Sequence, residues 1–525
     1  MASRTRSFFL NGISLTLTAL IMRGIGMLFG AYVANNAGSE TVGLYSLLGS
    51  VYAFSITLAT AGINLGTTRL VSDALGLGNQ VLARRSVKKA LFVSVISSAI
   101  ATLLLYSLSH TLASGLLGDS RAERPLKILA LTLIPIAICS CLSGYFTAVR
   151  RVKINAAFQV VAQFVKIGAT VVLLSSRVNK GAEEACVALV LGGAVAEFVS
   201  LGISYLLYRF DLIKLNNDEK DTSRVLGIER KLLGITLPVT FSACIRSALS
   251  MFQHALIPKG LKASGASWES ALSSYGALHG MAMPVVLFPS AMVQAFAGLM
   301  LPEISECCVQ KDFKRLERVG SRSLSLSLMF SIGVSGIMLC FSEQIGGLIY
   351  NSAETAKYIR LIAPLIPVMY IDSAADAVLK GSGHQVYSMN VNIIDTLTAC
   401  IFALLLIPRI GIWGYVISIY ATEILNTTLS LGKMITICKM RVRVFHSVVM
   451  PILCIIGATN TVHLMTALFP FMSYGALGLI IGIISALSLY MVLLLITKTV
   501  GSDEKEFLYA SLLSEKLYNN RFKSA

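Results

Sequence analysis

Three arginines stand inside stretches otherwise apolar enough to lie in hydrocarbon: Arg23 in ALIMRGIGMLFGAYV, Arg69 in AGINLGTTRLVSDALG and Arg246 in PVTFSACIRSALSMFQHALIP. An arginine at the centre of a bilayer costs at least about 2.5–3.5 kcal/mol, and it cannot escape by losing its proton. Such a residue generally faces a bundle interior or a water-filled cavity. Few acids lie near these three in sequence, so together they point to a cavity for an anion. The planar guanidinium suits phosphate in particular, because it binds two oxygens at once and stays charged. The competing reading is structural: each arginine caps backbone carbonyls or snorkels to a lipid headgroup. Arg69, near a helix end, fits that reading equally well.

Other polar residues sit in apolar surroundings. Gln159, Gln163 and Lys166 recur at i, i+4 and i+7 and form one stripe on a helix. Lys166 either adds to the cationic cavity or snorkels. Asn392 and Asp395, at i and i+3, could bind a cation or take up a proton; the alternative is a helix–helix hydrogen bond or an ion pair with a cavity arginine. With Glu423 they are the candidates for coupling to a proton or a sodium ion, although the matching place of Glu197 and Glu423 in a repeat favours a shared structural role. Asp372 and Asp376, one turn apart, are with Asp395 the main acids of that half. His279 and His463 read as packed, hydrogen-bonded residues. The ten cysteines are scattered without metal-ligand or disulfide spacing. No nucleophile–base pair, phosphate-cradling glycine loop or ATPase motif is present. The chain therefore reads as a transporter without a resident cofactor or metal, worked by an ion gradient or the membrane potential.

The elements that position these residues follow from composition. Of 525 residues, 55% are hydrophobic and 14% charged, and the mean hydropathy is +0.74. Those values indicate an all-α polytopic membrane protein. Fourteen apolar runs are each long enough to span a bilayer: 8–34, 42–65, 89–112, 126–149, 155–176, 184–208, 232–257, 273–301, 323–342, 358–379, 386–408, 412–437, 446–468 and 474–497. The first external loop is read as NNAGSET. The net charge of +17 is distributed with a bias of about three to one towards one set of short loops, which is the positive-inside pattern. Both termini are thereby cytoplasmic. The basic excess orients the chain and attracts anionic lipids, and nucleic-acid binding is not needed to explain it.

An internal repeat is visible. Leu133-Ile134-Pro135 returns as Leu365-Ile366-Pro367, Arg84-Arg85 as Lys314-Arg315 and Tyr45 as Tyr275, each roughly 230 residues later. Arg23 and Arg246 fall in the first spans of the two halves. Six spans per half is an even number, so the repeat is parallel, with a pseudo-twofold axis along the membrane normal. The expected organisation is an N-lobe over 1–208, a cytoplasmic linker over 209–231, a C-lobe over 232–440, two extra helices over 441–497 and a cytoplasmic tail over 498–525. The tail carries an amphipathic stretch, FLYASLLSEKLY, that suits a membrane surface.

Three stretches carry a family likeness: GLYSLLGSVYAFSITLATAGINLGTTRLVSDALG (43–76), LSGYFTAVRRVKINAAFQVVAQ (142–163) and LHGMAMPVVLFPSAMVQAFAGLMLPEISE (278–306). The chain resembles the polysaccharide-transporter branch of the MOP flippase superfamily, of the stage V sporulation protein B type, related to MurJ-like lipid II flippases. The resemblance implies fourteen helices in two lobes around a central cavity. It also implies export of an undecaprenyl-pyrophosphate-linked saccharide across a bacterial cytoplasmic membrane by alternating access. A peptidoglycan precursor in cell-wall synthesis or sporulation is the expected cargo, with cell-wall synthases as partners. It places Arg23, Arg69 and Arg246 on cavity-lining helices and gives helices 13 and 14 a lipid-tail groove. Some relatives bind sodium through the seventh, eleventh and twelfth helices; here Asn392, Asp395 and Thr422 are kept, but GITLPVTFSACIRSALSMF of the seventh has no acid.

Three rivals are weighed against that reading. A multidrug or organic-cation antiporter would favour an acid-lined cavity, whereas the first half offers only Glu197 mid-membrane. A membrane glycosyltransferase or ligase would need acids in external loops, of which the first, NNAGSET, holds only Glu40. A non-transporting envelope assembly role stays open. The charge bias generates a test of the map: cysteines introduced near Arg84, Asn217 and Lys311 should label only from the cytoplasm, and those near Ser120, Ser264 and Ser352 only from outside. Reversal of any two loops would overturn it.

Overall fold

The computed structural model describes residues 2–177, 180–214, 228–440, 445–468, 475–497 and 499. Most of the expected linker (215–227) and nearly all of the tail, including its amphipathic stretch, lie outside the described residues. Every regular element among those described is helical. Only helices and closed barrels satisfy all backbone groups within lipid.

In chain order the helices are α1 (Ala2–Thr60), α2 (Ile63–Gly76), α3 (Gln80–Thr111), α4 (Glu123–Ala148), α5 (Val152–Ser175), α6 (Ala182–Lys214), α7 (Ile228–Ala263), α8 (Trp268–Tyr275) and α9 (Met283–Leu287). They continue as α10 (Ser290–Gln310), α11 (Phe313–Tyr350), α12 (Ala353–Ile362), α13 (Ile366–Gly381), α14 (Gln385–Leu405), α15 (Ile407–Ile410), α16 (Ile412–Cys438), α17 (Met450–Leu468) and α18 (Gly475–Ile496). Side-chain caps start several of them. Asn79 accepts from the Leu82 amide at 2.7 Å, Ser267 from Ser270 at 3.2 Å and Asp312 from Arg315 at 3.0 Å. Each satisfies an amide that the first helical turn leaves unpaired.

Eleven helices among the described residues are long and apolar enough to cross a membrane. One of them, Leu20–Gly76, runs through the first two expected spans. The external loop NNAGSET is not a loop. Helix continues through it and breaks at Gly38 alone, where φ is 81° and ψ 164°. That backbone region is open to glycine and closed to residues with a Cβ. The helices α7 and α16, expected as spans seven and twelve, have 36 and 27 residues but fall outside those eleven.

The chain divides into two compact units, Met1–Met281 with Thr396–Ser418, and Ala282–Asp395 with Ile419–Ala525. This packing boundary follows α7 and α8, whereas the repeat puts its boundary before α7.

In the first unit α4 packs against α2, α3 and α6. Val71, Val87, Leu142, Tyr145, Phe146 and Tyr208 form a buried cluster there. Tyr145 donates to the Asp211 carboxylate at 2.8 Å, and Arg151 pairs with the same group. A close helix approach in this unit joins α1 to α8. The Ser39 and Ser273 hydroxyls meet at 2.6 Å. A Cβ on Gly43 would stand 2.1 Å from the Leu272 carbonyl oxygen, and one on Gly276 would stand 2.2 Å from that of Ser39. Small residues allow such backbone contact, and dispersion between backbones holds it.

In the second unit α11 is the spine, with 38 residues that reach about 57 Å. Tyr490 of α18 donates to the Met329 carbonyl at 2.7 Å, and Tyr370 of α13 to that of Val286 at 2.7 Å.

The α1–α8 contact makes a sharp prediction. Gly276→Val should destabilise the protein by about 1–3 kcal/mol or more, because overpacking against backbone cannot be relieved by a rotamer change. Gly30→Ala, with nothing within 4 Å of the added carbon, should melt like wild type or slightly higher. Thermal unfolding of the detergent-purified proteins checks both, and equal melting temperatures for the valine variant and wild type would contradict the packing.

Candidate functional site

Below the glycine contact the first unit contains a cavity of about 220 Å³. Ser46, Gly49, Ser50 and Ala53 line it from α1, and Ser247, Ser250 and His254 from α7, with His279 completing the wall. Both sets have helical spacing, so each presents one face. His279 sits on a π-helical turn, Gly276–Ala282, that joins α8 to α9. Such turns are inserted single residues that re-aim side chains and recur at functional sites.

The polar groups of the wall are partly engaged. Ser46 donates to the Val42 carbonyl at 2.8 Å and Ser50 to that of Leu47 at 2.7 Å. Their protons are spent on their own helix, and their oxygens remain acceptors. His254 Nδ1 lies 3.1 Å from the Tyr275 hydroxyl, and His279 Nδ1 lies 3.3 Å from that of Tyr415. The imidazole centroids are 4.5 Å apart. Tyr275, fully buried, stacks on His279 at 5.2 Å and an interplanar angle of 9°. Where the tyrosine donates to Nδ1 the ring carries its proton on Nε2, and where Nδ1–H donates to the hydroxyl oxygen Nε2 is an acceptor. No aspartate, glutamate, lysine or arginine is in this lining.

The residues singled out from sequence fall as follows. Arg246 immediately precedes the lining residue Ser247 on α7 and lies one turn before Ser250, with its side chain exposed and outside the lining itself. Arg23 on α1 and Arg69 on α2 are likewise exposed rather than buried in packed protein. Lys166 is half-buried and acts electrostatically on Glu197 of α6. Its stripe lies beside α1, where a Cβ on Gly26 would approach the Gln163 amide at 4.0 Å. Sequence reasoning missed His254 and the wall serines. The visible signal was Ser247, Ser250 and His254 at i, i+3 and i+7.

The second unit holds the acids by itself. Asp372 accepts from Asn426 at 3.3 Å, and Asp372, Asp395 and Glu423 act electrostatically on one another. The Asn392 amide donates to the Ser388 carbonyl at 2.8 Å. Asp376, by contrast, is taken up by Lys380 and Ser388. Among the described residues no three His, Cys, Asp or Glu side chains converge on a metal position.

A polar network fixes the start of α8 and hence the tyrosine–histidine group. Asp119, in the turn before α4, is buried. It accepts from Arg121 Nη2 and from Trp268 Nε1, both at 2.8 Å. Arg121 also donates to Glu40 of α1 at 2.8 Å, and Lys259 of α7 to the Gly115 carbonyl at 2.5 Å. Burial alone would raise the Asp119 carboxyl, but the hydrogen bonds from Arg121 and Trp268 outweigh it and hold the group below its ordinary 3.8.

Comparison with known proteins places this geometry. The sequence profile described as "Polysaccharide biosynthesis protein" matches residues 9–308, more than half of the chain, and that described as "MatE" matches residues 267–405. The chain is 26% identical over 519 residues to Stage V sporulation protein B of Bacillus subtilis (strain 168), covering 96% of this chain and 98% of the relative. It is 21% identical over 403 residues to Lipid II flippase MurJ of the same organism, covering 71% and 73%. Among solved structures it superposes on Lipid II flippase MurJ in an inward closed conformation with a TM-score of 0.69. The identity there is 13%, with 93% and 99% of the two chains covered.

The lowered Asp119 carboxyl gives a signed prediction. Its network stabilises the fold above pH 3.8 and is lost as pH falls through the depressed native value. Asp119→Asn should therefore lower the melting temperature by a few degrees at pH 7. The gap to wild type should close as the pH is taken below 3.8. A gap that persists unchanged under acid would show that charge on Asp119 is not what holds the network.

Proposed function

Because the chain belongs to the polysaccharide biosynthesis protein family of the MOP superfamily, we propose that it is a flippase that exports an undecaprenyl-pyrophosphate-linked saccharide by alternating access. A peptidoglycan precursor of the lipid II kind is the proposed cargo, carried across the bacterial cytoplasmic membrane. The observation that carries this reading is an exposed Arg246, one turn before Ser250 on α7, beside a cavity lining that holds hydroxyls and imidazoles but no acid. Pyrophosphate needs cationic, forked donors, and sugars need neutral hydrogen-bonding groups. Arg23, Arg69 and Lys166 are proposed to share the anion. The names of the two B. subtilis relatives support the cargo class.

The proposed architecture is fourteen spans, with α1 counted as two across Gly38 and with α7 and α16 added to the eleven most apolar helices. The lobes 1–208 and 232–440, helices 13 and 14 as a tail groove over 441–497, and cytoplasmic termini belong to the same proposal. Partnership with cell-wall synthases follows from the cargo. A second reading, an organic-cation antiporter, draws on the MatE match and on Asp372, Asp395 and Glu423 of the second unit.

Energetics favour the first. With no ATPase motif in the sequence, work comes from voltage or ions. An interior negative by about 100 mV offers about 2.3 kcal/mol for each negative charge moved fully outward. After release the uncovered arginines carry positive charge, and the same field favours their return. Asp395, with Asn392 and Glu423, is proposed to tune the cycle by carrying a proton. The sodium donor set is incomplete, because the apolar span of α7, GITLPVTFSACIRSALSMF, has no acid, and the proposed cycle does not use sodium.

The test is rescue of a strain depleted of its lipid II flippase, scored beside a capsule-flippase mutant. Wild type should rescue the first. Arg23→Ala or Arg246→Ala should abolish rescue at normal expression, and lysine should restore it only partly, since it lacks the bidentate fork. Dissipating the potential at constant pH and sodium should stop transport. Full activity of both alanine variants would sink the anion site, and arrest by sodium removal alone would replace the voltage mechanism.

A further inference from the structure

We infer that the cavity between α1 and α7 is a subsite for one uncharged sugar ring, the ring joined directly to the pyrophosphate. The inference rests on the flippase reading and adds which residues meet the saccharide. Four observations carry it. The wall contains no ionised side chain, so it has nothing to neutralise a phosphate and nothing to attract an organic cation. It offers both kinds of partner that a sugar hydroxyl requires. Ser46 and Ser50 have spent their protons on helix carbonyls and remain acceptors. His254 and His279 each share Nδ1 with a tyrosine hydroxyl, which leaves Nε2 of each ring to donate or accept according to the tautomer.

The volume, about 220 Å³, is the liquid share of about seven waters. That suits a single pyranose with its exocyclic groups and not a whole oligosaccharide. Arg246 precedes Ser250 by one turn, about 6 Å along the helix. A diphosphate held by Arg246 thus leaves its first sugar level with the serines and imidazoles. The two histidines are also too well supported to be incidental. Each is oriented by a buried tyrosine, and Tyr275 stacks flat on His279, fixing the ring planes before a ligand arrives, which lowers the ordering cost of binding.

The experiment compares two probes on the full-length protein in nanodiscs: undecaprenyl pyrophosphate, and the same lipid pyrophosphate bearing one N-acetylhexosamine. Ser250→Val and His254→Phe should weaken binding of the sugar-bearing lipid by about tenfold, the effect of one or two lost hydrogen bonds. Both should leave the sugarless lipid unchanged. Arg246→Ala should weaken both probes. Ser50→Ala, which removes only the hydroxyl and lies on the opposite wall, should show the same selective loss and carries the test if His254→Phe lowers the melting temperature. Equal loss for both probes, or no loss for either, would overturn the subsite while leaving the flippase reading in place. Wild type that binds neither lipid would overturn the flippase reading, and the subsite with it.

Discussion

The first unit is organised around a contact between two backbones. Gly43 of α1 and Gly276 at the end of α8 meet where no Cβ can be accommodated, with Ser39 and Ser273 hydrogen-bonded one turn away. Helices that touch this closely at one point must diverge beyond it, because each is a stiff rod with its own direction. Ser46 follows Gly43 by one turn, and His279 follows Gly276 by one turn. The cavity therefore begins where the glycine contact ends. Its polar lining is what one expects of a wedge that no apolar side chain fills: hydroxyls satisfied on their own helix, and imidazoles satisfied by tyrosines.

The same contact explains why His279 sits on irregular backbone. A regular helix from Trp268 through Leu287 would carry His279 round with a period of 3.6 residues. The π-helical turn at Gly276–Ala282 shifts that phase, and Pro284 follows it directly. Proline cannot continue the preceding turn's hydrogen bonding, so the irregular turn absorbs a mismatch that the sequence already contains. The network of Asp119, Arg121, Trp268 and Glu40 then fixes the other end of α8. A short helix held at both ends is a stable mount for a binding group.

Much of this was legible in the chain, and the rest was hidden for physical reasons. Apolar runs of bilayer length revealed the helices, since lipid leaves no other way to satisfy the backbone. The arginines stood out because charge within an apolar run is costly, although capping or snorkelling explains such a residue as well as a ligand does. NNAGSET misled because its composition is that of a turn, yet one glycine at φ 81° suffices to redirect the helix. Ser39, Gly43, Gly276 and Gly280 have the small-residue spacing of close helix pairs. That pattern names no partner, and only folding brings the two pairs together. His279 read as a packed residue, and it is hydrogen-bonded and stacked. Its pairing with His254 depends on a π-helical turn, which the apolar pattern does not reveal.

The division of labour between cation and neutral wall has a kinetic logic. A carrier must release what it binds, so its strongest contacts should answer to the driving force. Hydrogen bonds to charged groups are worth about 1.5–3 kcal/mol each, and neutral ones about 0.5–1.5. The arginine contacts are the tighter ones, and they are also the contacts that a membrane potential acts on, through the charge they hold. The serine and imidazole contacts are weak enough to be exchanged for water once the cavity opens. A wall of acids and lysines would discriminate more strongly but would hold the sugar's charged neighbour on both sides of the membrane. In the proposed cycle, charge beside the cavity and neutral hydrogen-bonding groups within it would let voltage act on the pyrophosphate while the sugar follows.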